Sequence, residues 1–295
     1  MTAIRNYLSL IKFSHTIFAM PFAMIGFFLA ATGATGYFGF LTQDYRSAIL
    51  KFILVILCMV FARSAAMAFN RYLDRHFDAK NPRTTIREIP AGIISADKAL
   101  LFTIFNSLLF VATCYFINAL CFYLSPVALL VVLGYSFTKR FTALCHLVLG
   151  LGLSLAPIGA YLAVTGQFDW LPILFSFAVI FWVSGFDIIY ALQDEDFDRS
   201  QQLHSIPAAL GRAKALFISR LLHLLSATSV IIAGIYGGFG WLYWAGVAVF
   251  TGMLIYQQSI VSKDDLSRVN IAFMTANGIA SVVFSILVIT DLFLR

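Results

Sequence analysis

Charge is scarce in this chain. Only 12% of its 295 residues are Asp, Glu, Lys or Arg, and 14 are acidic. Soluble globular chains run nearer a quarter charged, so an ordinary soluble domain is excluded. A disordered chain is excluded too, since it needs low hydrophobicity and high charge. Cysteine is equally sparse: Cys58, Cys114, Cys121 and Cys145 are the only four. They lie in or beside apolar runs without CxxC spacing, where single thiols pack as small apolar side chains. That leaves no support for a disulfide scaffold or a zinc site. The opening segment MTAIRNYLSLIKFSHTIFAM shows no small-residue cleavage site, so it reads as the entry to a retained first span rather than a cleaved signal.

What the chain does have is apolar mass: 61% hydrophobic residues, 30 of them Phe. The fold class that follows is an all-α integral membrane protein, one domain over residues 1–295. A spanning helix needs about 20 mostly apolar residues. Nine runs answer to that: 16–36, 48–70, 99–117, 119–137, 142–164, 171–193, 213–235, 239–260 and 270–293. Almost nothing separates the third from the fourth, so the turn at Asn118 must be tight; joining them would leave eight.

Charge asymmetry orients the spans. With the N-terminus inside, the inner connections hold sixteen Lys and Arg, from Arg5 and Lys12 to Lys263 and Arg268. The outer set holds three, Arg46, Lys51 and Arg295, and Arg63 falls within a span. Positive residues collect on the cytoplasmic side. The reading is a bacterial inner-membrane protein with a cytoplasmic N-terminus and its C-terminus outside. The net charge of +6 is then a topology signal, with no nucleic acid implied.

Nine of the 14 acidic residues fall in two stretches. Asp74, Asp78, Glu88 and Asp97 follow the second span. Asp187, Asp194, Glu195, Asp196 and Asp198 lie at the inner end of the sixth. Asn70, Asp74 and Asp78 step by four, and Arg63 lies seven before Asn70, so a continued helix carries all four along one side, drifting about 40° per step. Asp187, Asp194 and Asp198, spaced seven and four, share a face with Tyr190 and Gln193 nearby. The first helix ends before Pro82, because Asn81 is pushed towards extended geometry. Carboxylates beside hydrocarbon are costly and are functional candidates by default. Two such clusters suit Mg²⁺, which takes oxygen ligands and is shared between carboxylates and phosphates. Arg71, Arg75, Lys139, Arg140 and Arg199 stand ready for phosphate oxygens. A diphosphate head with a long lipid tail fits these demands. The plainer account is a solvated loop with surface ion pairs of little worth; two stretches at equivalent places and helical spacing weigh against it.

At these residues the chain resembles the intramembrane aromatic prenyltransferases of the UbiA superfamily. Asn70, Asp74 and Asp78 match the family's NxxxDxxxD, and Asp194 and Asp198 match its second, DxxxD motif, with Asp187 upstream. YSFTKR, carrying Tyr135, Lys139 and Arg140, is similar as well. The resemblance implies a nine-helix bundle around a central cavity with a cytoplasmic cap. It implies Mg²⁺-dependent transfer of a polyprenyl group from polyprenyl diphosphate to an aromatic acid. Asn70, Asp74, Asp78, Asp194 and Asp198 become metal ligands; Arg71, Arg75, Lys139 and Arg140 become diphosphate clamps. The 4-hydroxybenzoate branch is the most similar, in ubiquinone or menaquinone synthesis. LHSIPAALG, from Leu203, resembles a subgroup tied to menaquinone made by the futalosine route. Many 4-hydroxybenzoate enzymes carry a lysine where this chain has His204, before Ser205, which leaves the acceptor open among 4-hydroxybenzoate, a naphthoate, haem or a chlorophyll precursor.

Several other polar residues leave more than one reading open. Arg63 either holds the acceptor's carboxylate or pairs with an aspartate. Asp187 either orients a cation or takes the ring proton, or makes a structural hydrogen bond. His15 and His146 read as core or interface histidines, and His76 points off the Asn70 face. Asn270 and Asn277 join helices or line the cavity. A transporter or cation channel would instead need ionisable groups near the midplane, where only Arg63 lies. A non-catalytic assembly factor would tolerate loss of Asp74 or Asp194.

Overall fold

The computed structural model describes residues 2–11, 19–33 and 45–294. Lys12, His15 and the two ends of the first apolar run lie outside them. Among the described residues the chain is helical, without strands. Helix α1 (Thr2–Leu10) precedes α2 (Met20–Ala31), α3 (Tyr45–Asp78), α4 (Ala96–Ile117), α5 (Ala119–Thr138) and α6 (Cys145–Thr165). Then come α7 (Trp170–Ala191), a tight 3₁₀ turn at Leu192–Asp194, and the short helices α8 (Glu195–Ser200) and α9 (Ile206–Leu210). Helices α10 (Arg212–Tyr236) and α11 (Trp241–Ser259) follow, and a wide π-turn at Ile271–Ala276 leads into α12 (Asn277–Leu294).

Among the described residues seven helices are long and apolar enough to cross a membrane: α3, α4, α5, α6, α7 with its continuation to Ser200, α10, and the stretch Ile271–Leu294. The other two of the nine apolar runs differ. The described part of the first is a 12-residue helix, α2. Helix α11 has 19 residues but is diluted by Trp, Tyr, Gln and Ser. The chain is thus a multi-pass helical membrane protein.

Local chemistry sets the helix ends. Asn118 serves two helices at once: its extended backbone (φ −168°) stops α4, and its Oδ1 accepts the Cys121 N–H at 2.8 Å to start α5. Its Nδ2 donates to the Leu162 carbonyl at 2.9 Å, tying that turn to α6. Asp169 caps α7 by accepting the Leu171 N–H at 2.8 Å. Helix α3 runs through the first acidic motif and ends at Asp78, ahead of Pro82.

Aromatic packing closes the second half of the bundle. Phe22, Phe175, Trp182, Phe250 and Phe284 are fully buried together. The Phe22–Trp182 centroids lie 5.3 Å apart and those of Phe250 and Phe284 5.2 Å. Asn277 sits in this core, accepting from Trp182 Nε1 at 2.9 Å and Gln257 Nε2 at 2.5 Å, so it joins helices. Asn270 is exposed. Close approach elsewhere depends on glycine: a Cβ on Gly26 would lie 2.0 Å from the Pro157 carbonyl oxygen, so only glycine lets α2 seat on α6. Gly26→Ala is therefore expected to cost about 1–3 kcal/mol, the usual range for overpacking, seen as a lowered midpoint of thermal unfolding in detergent.

Candidate active site

The ends of α3, α5, α6 and α7 on one side of the bundle, with the 79–94 loop and α8, line a polar cavity of about 200 Å³. The first motif reaches it because α3 stays helical beyond its apolar part. The second reaches it because the 3₁₀ turn rewinds the chain between Asp187 on α7 and Asp198 on α8. Asn70, Asp74, Asp78, Tyr135, Lys139, Arg140, Asp187, Tyr190, Asp194 and Asp198 all line this cavity, so residues 128 apart in sequence face one space.

Each motif carboxylate meets its own cation. Arg140 donates to Asp74 Oδ1 at 3.0 Å, while Asn70 Nδ2 donates to Asp74 Oδ2 at 3.1 Å. Arg87 donates to Asp78 Oδ1 at 2.7 Å. Arg83 grips Asp194 with two nitrogens, Nε on Oδ1 at 3.0 Å and its terminal nitrogen on Oδ2, and a third nitrogen donates to the Tyr190 hydroxyl at 2.9 Å. Asn81 adds a hydrogen bond to Asp194 Oδ1 at 3.1 Å. Lys139 Nζ stands 2.7 Å from Asp198 Oδ1. Burial works against the charge of Lys139, but the Asp198 carboxylate outweighs it and holds the ammonium above the usual lysine range. Arg83 is likewise opposed by burial and raised by its bond to Asp194. Such partly buried pairs are costly to desolvate, so they are weak evidence of stability. Their placement around one cavity is what they explain.

Not every expected residue faces this space. Arg71 is buried beside the cavity, its guanidinium 4.0 Å from Asp78 Oδ2, an oxygen with no hydrogen bond. Arg75 folds back along α3, donating to the Tyr72 carbonyl at 2.7 Å and lying over the Tyr72 ring at 4.5 Å. Arg199 turns outward to Glu195 and the Ala208 carbonyl. The His204 side chain is exposed, and only its backbone contributes, with its N–H on the Lys139 carbonyl at 2.7 Å. Ser205 is buried; it caps α9 through the Ala208 N–H and donates to Asp198 Oδ2 at 2.9 Å. His76 is exposed, off the motif face.

Of the lining residues absent from the sequence-derived site, four meet its carboxylates: Asn81, Arg83, Arg87 and His146. The arginines had been counted only as cytoplasmic-side charge. Their nearness to the motif, within the same loop, was the available signal. His146 gave none, because its partner Asp187 lies 41 residues away, with Nδ1 to Oδ2 at 2.6 Å.

Below the polar cavity lies an apolar one of about 380 Å³, walled chiefly by α3, α4, α5 and α6. Tyr135 and Leu149 line both, so the two spaces meet there. Arg63 is the one charged residue on the apolar wall, and its Nε has no hydrogen-bond partner among the described residues.

The donor chemistry suits Mg²⁺. Every ligand candidate is an oxygen, and the lining sets five carboxylates against four fixed cations. A diphosphate entering that net-negative space needs divalent cations with it. Among the described residues no three His, Cys, Asp or Glu side chains converge closely enough to hold an ion alone. Substrate phosphate and water would supply the remaining ligands, as Mg²⁺ commonly prefers.

Known proteins agree with this architecture. The chain is 33% identical over 241 residues to a 4-hydroxybenzoate octaprenyltransferase of Nitrosomonas europaea, covering 82% of each. It is 34% identical over 240 residues to the protein of that name in Aliivibrio salmonicida, covering 79% of this chain and 81% of that one. A UbiA homolog from Aeropyrum pernix K1, solved in its apo form, superposes with a TM-score of 0.77 at 28% identity, over 95% of this chain and 97% of that one. A UbiA homolog from Archaeoglobus fulgidus, solved with DMAPP and Mg²⁺, shares the fold at a TM-score of 0.72 and 19% identity, over 98% of this chain and 100% of that one. The UbiA prenyltransferase family matches residues 19–279, nearly the whole bundle and both acidic motifs, and the chain belongs to that family.

Proposed function

We propose that this protein transfers a polyprenyl group from polyprenyl diphosphate to the ring of 4-hydroxybenzoate, with Mg²⁺, in quinone synthesis. One observation carries the reading: the polar, acid-lined cavity lies against the apolar one, with Tyr135 and Leu149 in the walls of both. An amphiphile with an anionic head and a long tail fits that pair of spaces, and its first allylic carbon falls at their junction. The names of the two relatives supply the acceptor and suit Arg63, whose Nε is unpartnered among the described residues and which would hold a carboxylate from the apolar side.

Asn70, Asp74, Asp78, Asp194 and Asp198 would hold Mg²⁺. The ion supplies neutralisation of the diphosphate as it departs. Arg83, Arg87, Lys139 and Arg140 exchange carboxylate oxygens for phosphate oxygens when the head arrives, since a guanidinium suits both. The apolar walls keep water from the cation-like allylic carbon. In this reading α2 and α11 complete nine spans. The 79–94 loop and the α8–α9 segment form a cytoplasmic cap, and the lipid bilayer surrounds the bundle with the N-terminus inside.

The test uses membranes containing the protein, labelled polyprenyl diphosphate, Mg²⁺ and 4-hydroxybenzoate. A prenylated acid that disappears with EDTA is the expected result. Mg²⁺-dependent binding of the diphosphate without that product would move the acceptor to a naphthoate, haem or chlorophyll precursor. Neither binding nor product from folded protein would overturn the reading.

A further inference from the structure

Of the five carboxylates lining the polar cavity, four face Arg or Lys. The fifth, Asp187, faces His146 instead, with Nδ1 2.6 Å from Oδ2. His146 is 3% exposed, and its Nε2 accepts the Ile206 backbone N–H at 3.3 Å. Nδ1 is the nitrogen that donates to Asp187, and the Ile206 contact holds the other edge of the ring. The ring cannot rotate without breaking both bonds. Among the described residues Asp187 Oδ1 makes no hydrogen bond, and the carboxylate, 23% exposed, lines the same space as Tyr135 and Tyr190.

We propose that Asp187 is the proton acceptor of the prenyl transfer and that His146 is its positioning residue. This rests on the aromatic-acceptor reading above. The prenyl carbon forms a bond to a ring carbon while its bond to oxygen breaks, and that electron pair leaves with the diphosphate. The ring carbon then holds one hydrogen too many. That hydrogen passes as a proton to Asp187 Oδ1, and its bonding pair restores the aromatic ring. Nothing is oxidised or reduced. The four motif carboxylates, each matched to a cation that also suits phosphate, serve the diphosphate. Asp187, without a fixed cation, is the one left over for the acceptor.

The decisive comparison uses wild type, His146→Leu, His146→Asn and Asp187→Asn in membranes. Single-turnover transfer is followed with 4-hydroxybenzoate carrying either hydrogen or deuterium at the ring carbons ortho to its hydroxyl. Mg²⁺-dependent binding of polyprenyl diphosphate is measured alongside. Wild type should show no isotope effect, because breaking the bond to diphosphate is slow and proton loss fast. His146→Leu should bind diphosphate normally, transfer about tenfold or more slowly, and acquire an isotope effect as proton loss becomes slow. His146→Asn, whose amide can still donate near the Nδ1 position, should recover much of the rate. Asp187→Asn should show the larger loss with binding intact. A slowed His146→Leu without an isotope effect, or full activity in Asp187→Asn, overturns the proposal while the prenyl-transfer reading stands. Loss of diphosphate binding in both His146 variants also overturns it and leaves His146 as a tie between α6 and α9. A wild type that binds the diphosphate yet makes no prenylated acid overturns this proposal and moves the acceptor, and one that does neither removes both readings together.

Discussion

Asp194→Asn is expected to lower prenyl transfer on the order of 10²–10³-fold, the loss typical of removing one preorganised electrostatic contact to developing charge. The substitution keeps the shape of the side chain, and Asn81 Nδ2 can still donate to the amide oxygen. What goes is the charge that would hold Mg²⁺ and now holds Arg83. Binding of polyprenyl diphosphate should need more Mg²⁺ than in wild type, and raising Mg²⁺ should recover part of it. Isothermal titration of a non-reacting diphosphate analogue, at several Mg²⁺ concentrations, reads this without any catalysis. An unchanged Mg²⁺ requirement would place the ion on the first motif alone.

Arg83→Ala is the second large effect, about 10²-fold in kcat by the same comparison. Arg83 joins the loop to the second motif: it meets both oxygens of Asp194 and the Tyr190 hydroxyl, and its guanidinium lies 5.2 Å from the Tyr190 ring centre. A lysine cannot reproduce that fork, so Arg83→Lys should rescue little, though the charge is kept. The two variants separate charge from geometry. With the guanidinium gone, Asp194 also loses its fixed counter-charge, so Mg²⁺ without substrate should bind more tightly than in wild type. The rate therefore falls while metal affinity rises, a pairing that general unfolding would not give. Loss of both together would reduce Arg83 to a structural tie.

The membrane class, the helical periods and the two acidic motifs were legible in the amino-acid order because each is local. A run of about 20 apolar residues has one way to satisfy its backbone in lipid. A four-residue step puts Asn70, Asp74 and Asp78 along one side of whatever helix forms. The turn at Asn118 was visible for the same reason, since a short polar side chain between two runs both stops and caps a helix. Even α11 was found as an apolar run, although its aromatics and amides leave it outside the strongly apolar set.

The order of residues could not say which cations face the carboxylates. Arg75 and Arg83 read alike in sequence, both basic and both near the motif. Arg75 is still on α3, where it reaches its own helix at Tyr72. Arg83 lies past the break at Pro82, where the chain reverses and brings it to Asp194, 111 residues on. His204 drew notice by its place after the second motif, yet the turn into α9 leaves its side chain outside and buries Ser205. His146 looked like any core histidine until α6 packed on α7 and set it against Asp187. Local pattern decided what each segment is, because helix formation depends on neighbours a few residues away. Tertiary packing alone decided the pairing of charges, because an ion pair depends on distance in space, which the 3₁₀ turn, the loop and the close helix contacts set together.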